Sequence, residues 1–386
     1  MVTDTTVTPI PIDVLGTGRF RYVYMIADLH IGVRNGLPEW IDNIRDYFDN
    51  WLIPMLRSRD LKESALFVLG DTLDNRKHTP LEAENLMIHV FKDLTALLPV
   101  YVIIGNHDML TKTGHDITGV KSLELIDNLT LVSEPASMET LFYAKNGKTE
   151  YVRKILMVPH MGDCQVENKI LKQVCDSSVT DIVMLHTDID RMKYDNGRDI
   201  TSGTNVDDVK CRKVYSGHIH KRQETKKAVY VGSPYHLDRK DAGNDKGVYV
   251  LDLMSMKEEF IQNDRSPKFI RCLMSDLLNC TAGQVREFVR NNYVDIYVTK
   301  EEDERINQGI MSAGMGYMAA KTIQVWPLGK YNDAIAGPDT DAVYKDMTVQ
   351  DIVSEMIDSL DVTPEQKERI RAMNRRFVEG LNENAC

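Results

Sequence analysis

The chain is short of several things, and each shortage excludes a class. Its 386 residues hold no uninterrupted apolar run approaching the roughly 20 residues that cross a bilayer, so no membrane-spanning helix is expected. Its six cysteines (Cys164, Cys175, Cys211, Cys272, Cys280 and Cys386) form no CxxC pair and follow no regular spacing. That pattern excludes a disulfide framework or a cysteine zinc site and leaves buried or incidental thiols of a reducing cytoplasm. Positive charge is scarce as well: the formal net charge of -11 argues against a surface that coats nucleic acid by bulk attraction. A nuclease survives that test, because bound metal ions or a local basic groove can supply the field that the total lacks. Internal repeats and low-complexity tracts are missing too. The stretch Met1 to Phe20, rich in Thr and Pro, has neither the basic patch nor the apolar core of a secretory leader. The expectation is a cytoplasmic protein with 42% hydrophobic and 27% charged residues and, at this length, a main domain with smaller attachments.

What is present between Arg21 and Leu253 is an alternation of short β-rich runs with longer helical stretches. Strands are expected at Tyr22 to Ala27, Ala65 to Leu69, Val100 to Ile104, Ile155 to Val158, Ile182 to Leu185, Val214 to Ser216, Val229 to Val231 and Val248 to Leu253. Helices are expected at Pro38 to Arg57 and at Pro80 to Leu98, each with proline in its first turn. The reading is α/β, and such sheets carry their chemistry on the loops beyond the carboxyl ends of strands. After Leu253 a charged stretch, Lys257 to Lys268, reads as a linker. A small α+β pattern follows: strand Phe269 to Cys272, helix Thr281 to Asn292, strand Val294 to Val298, helix Glu301 to Ala319, strand Thr322 to Val325. Gly329 to Asp341 reads as a flexible tether. Beyond it lie two amphipathic helices, Val349 to Leu360 and Pro364 to Asn382, the second capped by Thr363 and carrying Lys367, Arg369, Arg371, Arg375 and Arg376. The expected order is a lead-in at 1–20, a catalytic domain at 21–256, a cap at 257–328, a linker at 329–341 and terminal helices at 342–386.

Five short segments stand where apolar strands run out: Asp28-Leu29-His30, Gly70-Asp71, Gly105-Asn106-His107-Asp108, Leu185-His186 and Gly217-His218-Ile219-His220. Together they offer two aspartates (Asp28, Asp71), one asparagine (Asn106) and four histidines (His30, His186, His218, His220). That mixture suits two divalent ions side by side. Phosphodiesters resist hydrolysis because an anionic nucleophile must approach an anionic phosphate, and a site short of carboxylates keeps net positive charge for the phosphate to bind. In an extended segment alternate side chains share a face, so Asp28 with His30, and His218 with His220, are expected to point into one site. Asp71 is the natural bridging carboxylate. Asn106, His186 and His218 would complete one ion's ligands, leaving His220 with Asp28 and His30 for the other. His107 follows a ligand directly, so its imidazole is expected to face the substrate and to orient the phosphate or protonate the leaving oxygen, with Asp108 holding its tautomer.

These motifs, in this order, resemble the calcineurin-like metallophosphoesterases, whose signatures read D-x-H, G-D-x-x-D, G-N-H-D/E, a lone H and G-H-x-H. The resemblance spans Tyr22 to about Leu253 and implies a metallophosphoesterase β-sandwich flanked by helices. Within that superfamily the chain more closely resembles SbcD-type and phage recombination nuclease subunits. The resemblance rests on Ile26-Ala27-Asp28-Leu29-His30-Ile31-Gly32, Gly70-Asp71-Thr72-Leu73-Asp74-Asn75-Arg76-Lys77 and Tyr230-Val231-Gly232-Ser233-Pro234-Tyr235. Protein phosphatases of the superfamily usually carry Arg-Gly after the second motif and Glu at the end of the third, where this chain has Asn75-Arg76 and Asp108. The resemblance implies manganese as cofactor, with magnesium less effective, and DNA as substrate, cut exonucleolytically from a 3′ end and endonucleolytically in single strands. It also implies a homodimer formed through helices beside the first motifs, a DNA-facing cap from Phe269 to Val325, and tail helices that dock on a coiled-coil SMC-like ATPase. The compartment would be the host cytoplasm if the chain is phage-encoded. Asp74 stands where cellular relatives often carry histidine.

Two other functions stay open at this point: a phosphatase or cyclic-nucleotide phosphodiesterase of the same superfamily, and a non-catalytic subunit that presents DNA ends. Among the remaining histidines, His89 reads as helix packing, His115 as surface and His160 as a side chain that could line the cleft. Asp74 reads as a hydrogen-bond partner behind the ligands, ahead of a substrate-side group or a loop cap. The basic run on the last helix is either a solvated face or a contact with a partner or with DNA.

Overall fold

Two sheets stack face to face because their central strands are apolar on both sides. The computed structural model describes residues 9–111, 114–143, 150–177, 179–305 and 320–331. One sheet has six strands in the order Lys257–Gln262, Gly247–Asp252, Tyr22–Ile26, Ser64–Leu69, Val100–Ile103, Leu129–Val132. The other has seven, in the order Asp13–Gly18, Ala136–Tyr143, Glu150–Val158, Ile182–His186, Lys213–Gly217, Ala228–Tyr230, Gln223–Glu224. Ser64–Leu69 and Ile182–His186 are buried at every position, as strands covered on both faces must be.

The strand period of two decides which layer each side chain joins. Val23 and Met25 face the second sheet, in a core shared with Phe67, Leu69, Met157, Met184 and Tyr215. Tyr24 and Ile26 face the opposite way, against Ile41, Ile44, Leu86, Val90 and Phe91 of the helices Pro38–Tyr47 and Leu81–Thr95. On the far side of the seven-stranded sheet, Ile170 and Leu171 of helix Cys164–Ser177 pack on Leu156, Val183 and Leu185. The result is the expected β-sandwich flanked by helices. Among the described residues no helix is long and apolar enough to cross a membrane.

A third sheet of parallel strands, Phe269–Leu273, Tyr293–Val298 and Thr322–Pro327, forms the small α+β region. It belongs to the same compact unit, Met1–Asn332, as the two larger sheets. Its Phe269 and Tyr293 rings stack against Trp40, with centroids 6.1 and 5.4 Å away. The Tyr293 hydroxyl sits 2.9 Å from Glu39 Oε1 and accepts from Asn43 Nδ2 at 2.9 Å.

Several local expectations give way. Lys257 to Lys268 is not a linker throughout: Lys257–Gln262 is an edge strand paired antiparallel with Gly247–Asp252. Its charges line the sheet's solvated edge, where Lys and Glu suit an unpaired strand. The end of the lead-in is likewise a strand, Asp13–Gly18, pairing parallel with Ala136–Tyr143. The helix expected from Pro38 to Arg57 is interrupted by a π-turn, Phe48–Leu52. Pro54 explains it, since proline has no N–H for Asn50 and its ring crowds that carbonyl, so the turn widens. Helix Glu301 to Ala319 is described only as Lys300–Arg305. The rest of that helix, the linker from residue 332 onward and both terminal helices lie outside the described residues.

Candidate metal centre

Each motif segment sits at or just beyond a strand's carboxyl end, and at four of their non-glycine residues the backbone is not extended. Asp28, His30, Asp71 and His218 all have positive φ, at 55°, 44°, 50° and 89°. The shared-face geometry expected for Asp28 with His30, and for His218 with His220, is therefore replaced by left-handed turns. Each such turn costs a non-glycine residue roughly 1–3 kcal/mol and persists where the surroundings fix it, as at functional sites. Close approach of the strand ends adds its own demand. A Cβ on Gly70 would lie 2.1 Å from His186 Nδ1, and one on Gly105 would lie 2.2 Å from the Asp71 backbone nitrogen. Gly105→Ala is accordingly expected to displace Asp71 and weaken divalent-metal binding by at least roughly tenfold, the scale of a disturbed ligand support. Calorimetric titration with Mn2+ checks this, and wild-type affinity in the variant would refute it.

Two groups of donors meet at Asp71. On one side, His30 Nε2 lies 3.1 Å from His220 Nε2 and 3.7 Å from Asp71 Oδ2. On the other, His186 Nε2 lies 3.0 Å from Asn106 Oδ1 and 3.3 Å from Asp71 Oδ1, and His218 Nδ1 lies 2.8 Å from the same Asn106 oxygen. Asp28 adjoins the second group: its Oδ1 accepts the His218 backbone N–H at 2.8 Å and lies 3.9 Å from His186 Nδ1. Its other oxygen, Oδ2, is buried with no hydrogen-bond partner among the described residues. Donors held about 2.1 Å from one ion at right angles are about 3 Å apart, the spacing seen in both groups. The buried, unpaired carboxylate oxygen is costly unless a cation answers it. On both counts the residues fit a pair of divalent ions.

Charge in the site is arranged to attract cations. Burial alone would depress the His186 imidazole, but the Asp71 and Asp28 carboxylates raise it to about 9. Burial pushes Asp28 up to about 6, while His186 pulls the other way. Asp71 stays well below the carboxylate range despite its burial, because His186, His30 and His107 surround it. Burial, then the neighbouring His30, drives His220 well below the usual histidine value, which leaves its lone pair available. Tautomers are set from behind: His186 Nδ1 donates to the Leu69 carbonyl at 2.7 Å, and His30 Nδ1 lies 3.1 Å from Asp74 Oδ1. Both histidines thereby turn Nε2 toward Asp71.

The calcineurin-like phosphoesterase model matches residues 22–222 of this sequence, just over half of it and the stretch that holds all five motifs. The chain belongs to the calcineurin-like phosphoesterase family. Members bind two divalent metals, and this phosphoesterase brings together donor groups of the matching kinds. It is 25% identical over 244 residues to exonuclease subunit 1 of Enterobacteria phage T4, covering 62% of this chain and 67% of that one. A solved structure, that of AQ665, a protein of unknown function from Aquifex aeolicus, is similar at 16% identity with a TM-score of 0.25, over 49% of this chain and 87% of the other.

Some sequence expectations for this phosphoesterase are corrected by its structure. Asp108 does not hold the His107 tautomer: its two oxygens accept the Leu73 and Gly105 N–H groups, both at 2.9 Å. The His107 imidazole is held instead by the Asp74 backbone carbonyl, 2.6 Å from Nδ1. The physical reason is the tight turn at Gly105, which folds Asp108 back on its own strand end. His115 is not a surface residue, since its side chain is only 7% exposed. His89 is exposed rather than packed, and lies 3.9 and 3.8 Å from Asp49 and Asp93. The sequence reading missed Asp188, whose Oδ1 lies 3.2 Å from His218 Nε2. It stands two residues past His186, beyond the same strand end, and that placement was its only signal.

Proposed function

We propose that the protein is a two-metal phosphodiesterase acting on DNA, the nuclease subunit of a partnered enzyme that processes DNA ends. The observation that carries the chemistry is Asp71, one carboxylate reaching toward both donor groups. Asp28, His30 and His220 would hold one ion, and Asn106, His186 and His218 the other, with Asp71 between them. When bound, the ions supply positive field and a water activated at neutral pH. With two carboxylates and an amide in place of a third, the loaded site keeps a net positive charge for a phosphate diester. The lack of thiolate disfavours soft ions, and the carboxylate and amide oxygens suit manganese or magnesium while the imidazoles suit zinc or iron as well; manganese is the choice that the family resemblance implies.

His107 is the residue left for the substrate. The Asp74 carbonyl takes its Nδ1–H, so Nε2 is the atom that meets the phosphate or the leaving oxygen. Its pKa is lowered by burial and by His30, which makes the imidazolium a stronger acid for that transfer. DNA as substrate is supported by the T4 relative's name, exonuclease subunit 1. The word subunit in that name supports a partner chain, for which we carry forward the coiled-coil SMC-like ATPase, together with a homodimer of this chain. The region from Phe269 onward would be the DNA-facing cap.

The test is a substrate panel with Mn2+: linear duplex, circular single-stranded DNA, nitrophenyl phosphate mono- and diesters and a cyclic nucleotide. DNA is expected to be cut and the small esters to lag behind. If a small ester is hydrolysed far faster than DNA, the protein is a phosphatase or small-diester phosphodiesterase instead. If nothing is cleaved by protein that binds manganese, the enzyme reading fails.

A further inference from the structure

Behind the donor group of Asn106, His186 and His218 stands a histidine that metal binding itself leaves unexplained. His160 follows the strand Glu150–Val158 and touches the support of all three donors. Its Nδ1 lies 3.2 Å from the His186 carbonyl oxygen, and since a carbonyl only accepts, Nδ1 carries the proton. Its ring stacks on the His218 ring, with centroids 6.1 Å apart and planes 19° from parallel, and meets the His186 ring edge-on at 6.2 Å. Its backbone N–H donates to the Ile104 carbonyl at 3.0 Å, two residues before Asn106. His160 is in turn pinned from outside: His115 Nε2 donates to its carbonyl at 2.8 Å, and His115 Nδ1 lies 3.2 Å from Glu134 Oε1.

We propose that His160, fixed by His115, is the positioning residue of this donor group. It need not touch an ion to do so. The bond to the His186 carbonyl fixes the strand end from which that imidazole projects. The stack restricts rotation of His218 about its side-chain torsions, and the bond to Ile104 sets the height of the turn that carries Asn106. The other donor group, His30 with His220, has no contact of this kind with His160, so the effect is confined to one of the two ions. The proposal rests on the two-metal reading above.

Calorimetric Mn2+ titration of the full chain separates the two. In the wild-type protein two binding steps are expected. His186→Ala should abolish one, and His30→Ala should weaken the other. His160→Ala is expected to weaken the His186 step by roughly 10–100-fold and to leave the His30 step within error, the scale seen when a group that orients a metal ligand is removed. His160→Asn restores a donor without the stack, and His160→Phe restores the stack without the donor, so each should recover part of the loss. These two near-isosteric variants carry the test if the alanine variant does not fold. Unchanged affinity in His160→Ala, or an equal loss in both steps, overturns the positioning role while the two-metal reading stands. A wild-type chain that takes up fewer than two ions overturns both.

Discussion

Replacing His107 with alanine is expected to lower Mn2+-dependent DNA cleavage by roughly 10²–10⁴-fold, the usual worth of a positioned general acid or base. Two-ion binding and the melting temperature should change little. The expectation rests on where the imidazole stands. Its ring is 4.8 Å from that of His30, its Nδ1 is committed to a backbone carbonyl, and it is partly exposed while Asp28, Asp71 and His186 are buried. Losing a partly exposed ring costs the fold little. In rate terms the loss corresponds to about 3–5 kcal/mol of transition-state stabilisation, too much for a side effect of repacking. Steady-state cleavage of single-stranded DNA, run beside calorimetric Mn2+ titration, checks both halves. A His107→Ala protein that still cuts at the wild-type rate removes the assignment. One that loses an ion as well moves His107 among the ligands.

The parts of this site that could be read in the sequence are those carried by strand ends. A β-strand of apolar residues stops abruptly where a polar side chain begins, so Asp28, Asp71, Asn106, His186 and His218 announce themselves by position, and the structure brings them together with His30 and His220. The α/β order was legible for the same reason, since strands covered on both faces read as unbroken apolar runs. Residues that act from behind were marked only in part: Asp74 reads as a hydrogen-bond partner and lies 3.1 Å from His30 Nδ1, and His160 reads as a cleft side chain, but His115 does not stand out. His160 meets His186 through the pairing of Glu150–Val158 with Ile182–His186, and His115 reaches the His160 carbonyl from a loop of the other sheet, long-range facts that local spacing does not encode. Asp13–Gly18 was hidden because an edge strand at the surface need not be apolar, and its burial pattern is mostly exposed. The Asp108 contacts with the Leu73 and Gly105 N–H groups follow from the turn at Gly105, which the run Gly105-Asn106-His107-Asp108 does not by itself reveal.

Lys246→Met is expected to destabilise the protein by about 3–5 kcal/mol, a large part of the roughly 5–15 kcal/mol that keeps a domain folded. Lys246 is 3% exposed, and its ammonium makes three bonds: to the His220 carbonyl at 2.8 Å, to Ser233 Oγ at 2.7 Å and to Asp241 Oδ1 at 2.5 Å. All three donors are thus used, and one of them anchors the segment that carries His220. Asp241, equally buried, accepts the Leu237 and Asp238 N–H groups on its other oxygen. Methionine matches the lysine stem but leaves the Asp241 charge without a counterion in the interior, and the penalty is mostly that stranded carboxylate. Lys246→Met combined with Asp241→Leu should therefore recover much of the loss, because an apolar pair of similar volume replaces a buried ion pair at small cost. The pH dependence gives a second, independent reading. Burial would raise Asp241, but Lys246 and the bonds around it hold the carboxyl at about 2, below its ordinary 3.8. A depressed carboxylate contributes stability that is present above its unfolded pKa and is lost as pH falls through its folded one, here between about 4 and about 2, and on the order of 2 kcal/mol. In Lys246→Met the sign reverses: the unpaired Asp241 prefers its proton, so the variant is relieved on acidification. The gap between wild-type and variant stability, measured by urea unfolding, should narrow from pH 7 to pH 4. A loss under 1 kcal/mol at pH 7, or a gap that does not change with pH, would show that Lys246 serves packing rather than charge.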